Sequence, residues 1–132
     1  MNDYNSVVSK DQALNLGIDF DGVIHDDSKG FHDGTIYGEP IPGALDALKT
    51  LSKHFRIIIF TAKAKPDRPL INGMSGSELV EEWLLKYDVL KHVAEITSEK
   101  PRALLYIDDK GYRFENWKST LSFIKSLNEI LF

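Results

Sequence analysis

The sequence predicts an α/β fold in which helices cover both faces of a mainly parallel sheet. The first observation is a set of continuous apolar runs, typical of buried strands, at residues 13–20, 56–60, 93–96 and 103–107. The second is that apolar residues recur at helical spacing between and after these runs, in stripes within residues 44–51, 80–87 and 117–131. Strands that alternate with helices in this way favour parallel pairing, because parallel strands need long crossover connections.

The remaining segments predict connections. Residues 1–12 are polar and predict a loosely held arm before the first strand. Residues 25–43 are rich in Gly, Asp and Pro, which indicates a loop or small hairpin in which only residues 35–37 look extended. Residues 62–74, with two prolines and several charges, predict a second loop.

Particular residues indicate where each of the three predicted helices begins. Pro42 suits the first turn of the first helix, because a proline there removes no helical hydrogen bond. Ser75 and Glu78 have the spacing of a capping box before the second helix. Asn116 is a preferred capping residue for the last helix.

Composition narrows the class of protein. The 132 residues suit one domain, at residues 13–132, with 42% apolar and 27% charged residues, as in soluble globular proteins. The net charge of −4 predicts no binding of duplex nucleic acid. The absence of cysteine excludes disulfides, thiolate zinc sites and cysteine nucleophiles. With no membrane span of ~20 apolar residues and no signal peptide, we expect a cytoplasmic protein.

Acidic and hydroxyl side chains follow the predicted strands where each one ends. They are Asp19 and Asp21 at the end of the first strand, Thr61 at the end of the second, and Asp108 and Asp109 at the end of the last, with Lys100 in the loop just before that strand. Ligands bind beyond the carboxyl ends of strands in such sheets, so we expect these residues to converge. Clustered carboxylates repel one another unless a cation neutralises them, and oxygen ligands suit Mg²⁺.

Four segments resemble the motifs of the haloacid dehalogenase-like hydrolase superfamily, in the family's order. They are Ile18-Asp19-Phe20-Asp21-Gly22-Val23, Ile57-Ile58-Ile59-Phe60-Thr61, Lys100-Pro101 and Leu105-Tyr106-Ile107-Asp108-Asp109. A single Asp-x-Asp is weak evidence. Four motifs in order, each at a strand end or the adjoining loop, are specific, and they span residues 16–109.

The resemblance implies a magnesium-dependent phosphatase. Asp19 would be the nucleophile and form an aspartyl-phosphate, and Asp21 would be the general acid and base. Thr61, Lys100, Ala62 and Gly22 are the residues implied to bind the phosphoryl group. Magnesium would bind to Asp19, the backbone carbonyl of Asp21 and Asp108, with Asp109 as a further ligand or an indirect one. Which of Asp108 and Asp109 contacts the metal directly is left open by the sequence. The carboxylate at Asp21 favours phosphoryl transfer, because members that cleave carbon–halogen bonds lack an acid there.

The resemblance also implies a Rossmann-like three-layer sandwich without a cap domain. About 33 residues separate Val23 from Ile57, and a predicted helix fills part of them. Capless members have open sites that accept large substrates or borrow cover from a neighbouring subunit, which leaves a homo-oligomer open. The expected substrate is a phosphorylated small molecule or a polynucleotide end. The loop at residues 25–38 would be the flap nearest the site. His25 and His32 lie on it and could contact substrate, but exposed loop positions are more common for histidine.

Several alternatives remain open. Each site residue taken singly has an ordinary explanation as a turn, a cap or a solvated lysine. A phosphotransferase and a nucleic-acid end phosphatase would use the same scaffold. A binding protein without catalytic activity, built on this scaffold, would be expected to have lost a motif residue. A receiver-type signalling module gathers similar residues but places its acidic pair on the first strand. Lys110 is close to the acidic pair in the sequence, so it could be mistaken for Lys100 as the lysine of the site. Solvated loop positions are favoured for Lys63 and Lys65, and core positions for Trp83 and Trp117.

Overall fold

The chain is described by a computed structural model at residues 14–30, 35–108 and 112–131. These residues form a mixed α/β fold with a parallel sheet and three α-helices. The strands are β1 (Asn15–Asp19), β2 (Arg56–Phe60), β3 (Glu95–Thr97), β4 (Leu105–Asp108) and the two-residue β5 (Tyr112–Arg113). The helices are α1 (Ala44–Leu51), α2 (Gly76–Lys86) and α3 (Trp117–Leu131). The predicted arm at residues 1–12 lies outside the described residues.

The strand order is β3-β2-β1-β4-β5, and every pair is parallel. The same order recurs in doubly wound sheets. The chain moves to one side of β1 through β2 and β3 and then crosses to the other side to form β4. The order thus reverses at β1, and a crevice is expected between the carboxyl ends of β1 and β4.

Local signals determine most element boundaries. The predicted strand at residues 56–60 is confirmed as β2. Both hydrogen bonds of the capping box are present, since Ser75 and Glu78 each accept from the other's backbone N–H at 3.2 and 2.9 Å. Asn116 Oδ1 accepts from the Ser119 N–H at 2.9 Å and so caps α3, as predicted. The placement of Pro42 in the first turn is wrong: it precedes the cap of α1, which is Gly43 with a φ of 87°.

The main apolar core lies on one face of the sheet. Residues alternate between the two faces of a strand, so Leu16, Ile18 and Phe20 of the β1 segment share a face with the β2 residues Ile57 and Ile59. All five belong to one buried cluster, which also contains the apolar side chains Ala44, Ala47, Leu48, Leu51, Val80, Trp83, Leu84, Trp117 and Ile124 from the three helices. This packing provides the main hydrophobic stabilisation of the described chain.

The opposite face carries Gly17, Ile58 and Tyr106. The connection from β3 to β4 lies against it: Asn15 Nδ2 donates to the Arg102 carbonyl at 3.0 Å, and the Tyr106 hydroxyl donates to the Pro101 carbonyl. A three-layer sandwich with helices on both faces therefore stays a prediction. Within the described residues, no helix has the length and apolar character needed to span a bilayer.

Candidate active site

Asp19 and Asp108 stand side by side at the carboxyl edge of the sheet. Asp19 is the last residue of β1 and Asp108 the last of β4. Ile18 is paired with Ile107, so the next residues on the two strands are level and lie on the same face. Adjacent strands are about 4.8 Å apart. The two carboxylates therefore flank the point where the strand order reverses.

A tight turn after β1 holds the predicted nucleophile. The Phe20 N–H donates to Asp19 Oδ1 at 2.8 Å. The Phe20 carbonyl accepts from the N–H groups of Ile24 and His25 at 2.9 and 3.0 Å. The Phe20 side chain is fully buried and belongs to the apolar core. The turn thus orders the backbone between Asp19 and Asp21.

Asp21 is held on both of its carboxylate oxygens. His25 Nδ1 lies 2.8 Å from Oδ1, and Lys63 Nζ lies 2.9 Å from Oδ2. Burial of the Asp21 carboxyl raises its pKa, but the hydrogen bonds from His25 and Lys63 and the charge of Lys63 outweigh burial. The net result is a pKa below the usual range. Asp21 is therefore a carboxylate at neutral pH in the resting protein, the form that a general base requires.

Lys63 belongs to the site, although its sequence context favoured a solvated loop. It lies in a short 3-10 turn, Ala62–Ala64, whose cap is Thr61: the Thr61 hydroxyl accepts from the Lys63 N–H at 3.2 Å. A Cβ atom built on Gly76 would lie 1.5 Å from the Lys63 carbonyl, so the start of α2 closely abuts this turn. Only 24% of the Lys63 side chain is exposed, whereas Lys65 is exposed as predicted.

We expect Lys63→Met to flatten the pH dependence of stability in acid. A carboxyl whose folded pKa is lowered contributes stability above its unfolded pKa, about 3.9, and this is lost as pH falls through the folded pKa. Without Lys63 the pKa of Asp21 rises toward its unfolded value. The ionised carboxylate then contributes less to the free energy of unfolding at pH 7, and less of this free energy is lost in acid. The measurement is the free energy of unfolding in urea between pH 7 and pH 3, in metal-free buffer. Lys65→Met is the matched control, and equal curves for both variants would contradict the assignment.

Lys100 lies where the sequence predicted it, beside the carboxyl edge. Its Nζ is 2.9 Å from Asp108 Oδ2, and Asp108 is only 4% exposed. Nζ also lies 4.4 Å from the centre of the Tyr106 ring and 5.8 Å from that of Phe60, which is within cation–π distance. Gly17 makes room for this arrangement, because a Cβ there would lie 2.8 Å from Tyr106 Cδ1. The ion pair with Lys100 offsets the cost of burying the negative charge of the Asp108 carboxylate.

The other predicted residues are placed less centrally. Thr61 is buried just beyond β2, and Ala62 is exposed at the start of the 3-10 turn. Gly22 has a φ of 82° and donates its N–H to the His25 carbonyl at 2.8 Å, so this donor is engaged within the turn. Asp109, His32 and Lys110 lie outside the described residues.

His25 differs most from its expected place as an exposed flap residue. It is 1% exposed, and it contacts Asp21 rather than solvent. Its ring stacks on Phe20 with centroids 5.3 Å apart and meets Trp83 edge-on at 5.7 Å. The spacing of four residues between Asp21 and His25 was a weak signal that the sequence contained.

Both tryptophans tie the loop after β1 to the helices. Trp83 and Trp117 are buried, which confirms their predicted core positions. The indole N–H of Trp83 donates to the Gly38 carbonyl, and that of Trp117 donates to the Val23 carbonyl, each at 3.1 Å. The loop that carries Asp21 and His25 is thus fixed at both ends by the core.

Among the described residues, no group of three or more His, Cys, Asp or Glu side chains is close enough to hold a metal ion. Two carboxylates of the predicted ligand set, Asp19 and Asp108, do lie on neighbouring strand ends. The side chain of Asp21 is turned to His25 and Lys63, which leaves its backbone carbonyl as the predicted ligand atom. Compared with protein-family models, with curated proteins and with solved structures, the chain matches none of them.

Proposed function

We propose that the protein is a magnesium-dependent phosphomonoester hydrolase that acts through an aspartyl-phosphate on Asp19. The observation that carries the proposal is the placement of Asp19 beside Asp108 at the strand-order reversal, with the Asp21 carboxylate fixed in the following turn. Two lysines, Lys63 and Lys100, reach the same group of carboxylates and supply positive charge for an anionic substrate. The resemblance to haloacid dehalogenase-like hydrolases supports the same assignment.

The proposed reaction has two displacements at phosphorus. Asp21 is a carboxylate in the resting protein, so it first takes up a proton from solvent. In the first displacement, an oxygen of Asp19 bonds to phosphorus while the bond to the leaving oxygen breaks, and that oxygen keeps the electron pair and takes the proton from Asp21. In the second, water attacks the acyl-phosphate and gives a proton to Asp21, and the bond between phosphorus and Asp19 breaks. Inorganic phosphate and the original carboxylate result, so Asp21 alternates between acid and base.

The residues at this edge fit a hard divalent cation. Carboxylate and backbone carbonyl oxygens are the ligands that Mg²⁺ prefers, and Asp19, Asp108 and the Asp21 carbonyl provide them. When bound, the ion would neutralise charge on the phosphoryl oxygens and on the carboxylates. Asp108, which forms an ion pair with Lys100, would be shared between this lysine and the metal.

We expect the purified protein to release phosphate from an aryl phosphate in the presence of Mg²⁺, and chelation to lower the rate by more than about 100-fold. A panel of nucleotides, sugar phosphates and 5′- or 3′-phosphorylated oligonucleotides then identifies the substrate class. Added alcohol that captures phosphate would favour the alternative of phosphoryl transfer. Failure to release or transfer phosphate anywhere on the panel, with no beryllofluoride adduct at Asp19, would overturn the proposal.

A further inference from the structure

We infer that His25 is a positioning residue that holds Oδ1 of Asp21 and leaves Oδ2 as the oxygen that exchanges the proton. The inference rests on the proposed function, and it concerns the same site. It is carried by the hydrogen bonds on both nitrogens of the His25 ring and by the packing around that ring.

The two ring nitrogens have different partners. Nε2 lies 2.9 Å from the Gly38 backbone nitrogen, whose N–H donates to it. A backbone N–H can only donate, so Nε2 must present its lone pair. In this tautomer the ring proton is on Nδ1, which lies 2.8 Å from Asp21 Oδ1 and donates to it. The backbone of Gly38 thereby determines which nitrogen faces the carboxylate.

The surrounding side chains hold the ring in one orientation. Phe20 lies parallel to it, with an interplanar angle of 11°. Trp83 and Tyr37 meet it edge-on at 83° and 77°. Rotation of the ring by 180° would turn carbon atoms toward both partners, so the Asp21 and Gly38 hydrogen bonds would be lost together. The donor to Asp21 is therefore rigid, as accurate placement of a catalytic group requires.

The consequence for Asp21 is an asymmetric carboxylate. Oδ1 accepts from a buried, fixed imidazole, whereas Oδ2 contacts Lys63, whose flexible side chain is partly exposed. Lys63 can move to an anionic substrate, but His25 has no comparable freedom. Oδ2 is thus the oxygen that becomes available when substrate binds, and His25 fixes the direction in which it points.

Two substitutions separate positioning from simple packing, because each one replaces a different nitrogen. The amide of His25→Asn can replace the Nδ1 donor to Asp21 but does not reach Gly38. The amide oxygen of His25→Gln can replace the Nε2 acceptor for Gly38 but does not reach Asp21. We expect His25→Gln to lower kcat by about 10- to 100-fold with KM changed less than about twofold. His25→Asn should keep kcat within about threefold of the wild type.

Thermal stability should follow the opposite order, because His25→Asn leaves the Gly38 N–H without its acceptor. A purely structural role predicts instead that kcat falls in proportion to the melting temperature in both variants, and that result would overturn the inference. Nitrogen-15 NMR of the wild-type imidazole gives a readout independent of activity: a proton on Nδ1 is expected, and one on Nε2 overturns the inference. An inactive wild type with the expected tautomer would locate the failure in the proposed function rather than in the His25 geometry.

Discussion

Asp19→Asn is expected to abolish phosphate release, with a loss of at least about 10⁴-fold in kcat. The amide nitrogen of asparagine has no free lone pair for attack, and its oxygen is a weak nucleophile, so no aspartyl-phosphate forms. The side-chain oxygen of the new amide can still accept the Phe20 N–H, so the turn after β1 should persist. The measurement is steady-state phosphate release with Mg²⁺, together with far-ultraviolet circular dichroism to verify the fold.

Asp46→Asn is the matched control for this experiment. Asp46 is exposed in the first turn of α1, and its substitution makes the same change of charge at a residue outside the candidate site. It should leave kcat unchanged within about twofold, because solvent and salt screen the charge of an exposed side chain. Full activity of the Asp19 variant would assign the nucleophile to another residue.

Gly38→Ala is expected to lower the free energy of unfolding by about 3 kcal/mol or more. A Cβ at this position would lie 1.9 Å from the Asp26 carbonyl oxygen and 2.8 Å from His25 Nε2, so backbone must move. The Gly38 carbonyl also accepts from the buried Trp83 indole, which resists that movement. Urea denaturation measures this loss of stability. We also expect kcat to fall, because the Gly38 N–H that donates to His25 Nε2 is displaced.

Gly30→Ala provides the comparison within the same loop. Gly30 has a φ of 76° with nothing within 4 Å of the added Cβ, so only backbone strain of about 1 kcal/mol is expected. If Gly38→Ala cost no more than Gly30→Ala, the close approach at Gly38 would not constrain the loop. The pair therefore separates steric crowding from the general cost of removing a loop glycine.

Much of the fold was predictable because its signals are local. The apolar β-branched run of β2, the capping box at Ser75 and the Asn116 cap each depend on a few neighbouring residues, and each was predicted correctly. The placement of Asp19, Thr61 and Asp108 at one edge followed from a general property of parallel sheets. The roles assigned to these residues remain predictions, because position alone does not establish chemistry.

For the contacts of Asp21, the sequence contained only a weak signal for His25 and none for Lys63. Lys63 is 42 positions away from Asp21. The pairing of β1 with β2 and the packing of α2 against the 3-10 turn bring the two residues together. His25 lies in a polar, glycine-rich stretch that is typical of exposed loops, and its burial depends on Phe20, Tyr37 and Trp83 meeting around it. Such tertiary coincidences leave no periodic pattern to detect.

The tryptophan hydrogen bonds have a consequence for how the molecule opens. The chain has two tryptophans, and each of their indole N–H groups is bonded to a carbonyl of the loop segment between β1 and α1. If that segment separated from the helices, both buried indole N–H groups would lose their carbonyl acceptors. The free-energy cost of these two unpaired donors opposes local unfolding of the segment. The segment and the helical layer should consequently melt as one cooperative unit. Intrinsic fluorescence then becomes a direct optical probe of the loop that carries Asp21.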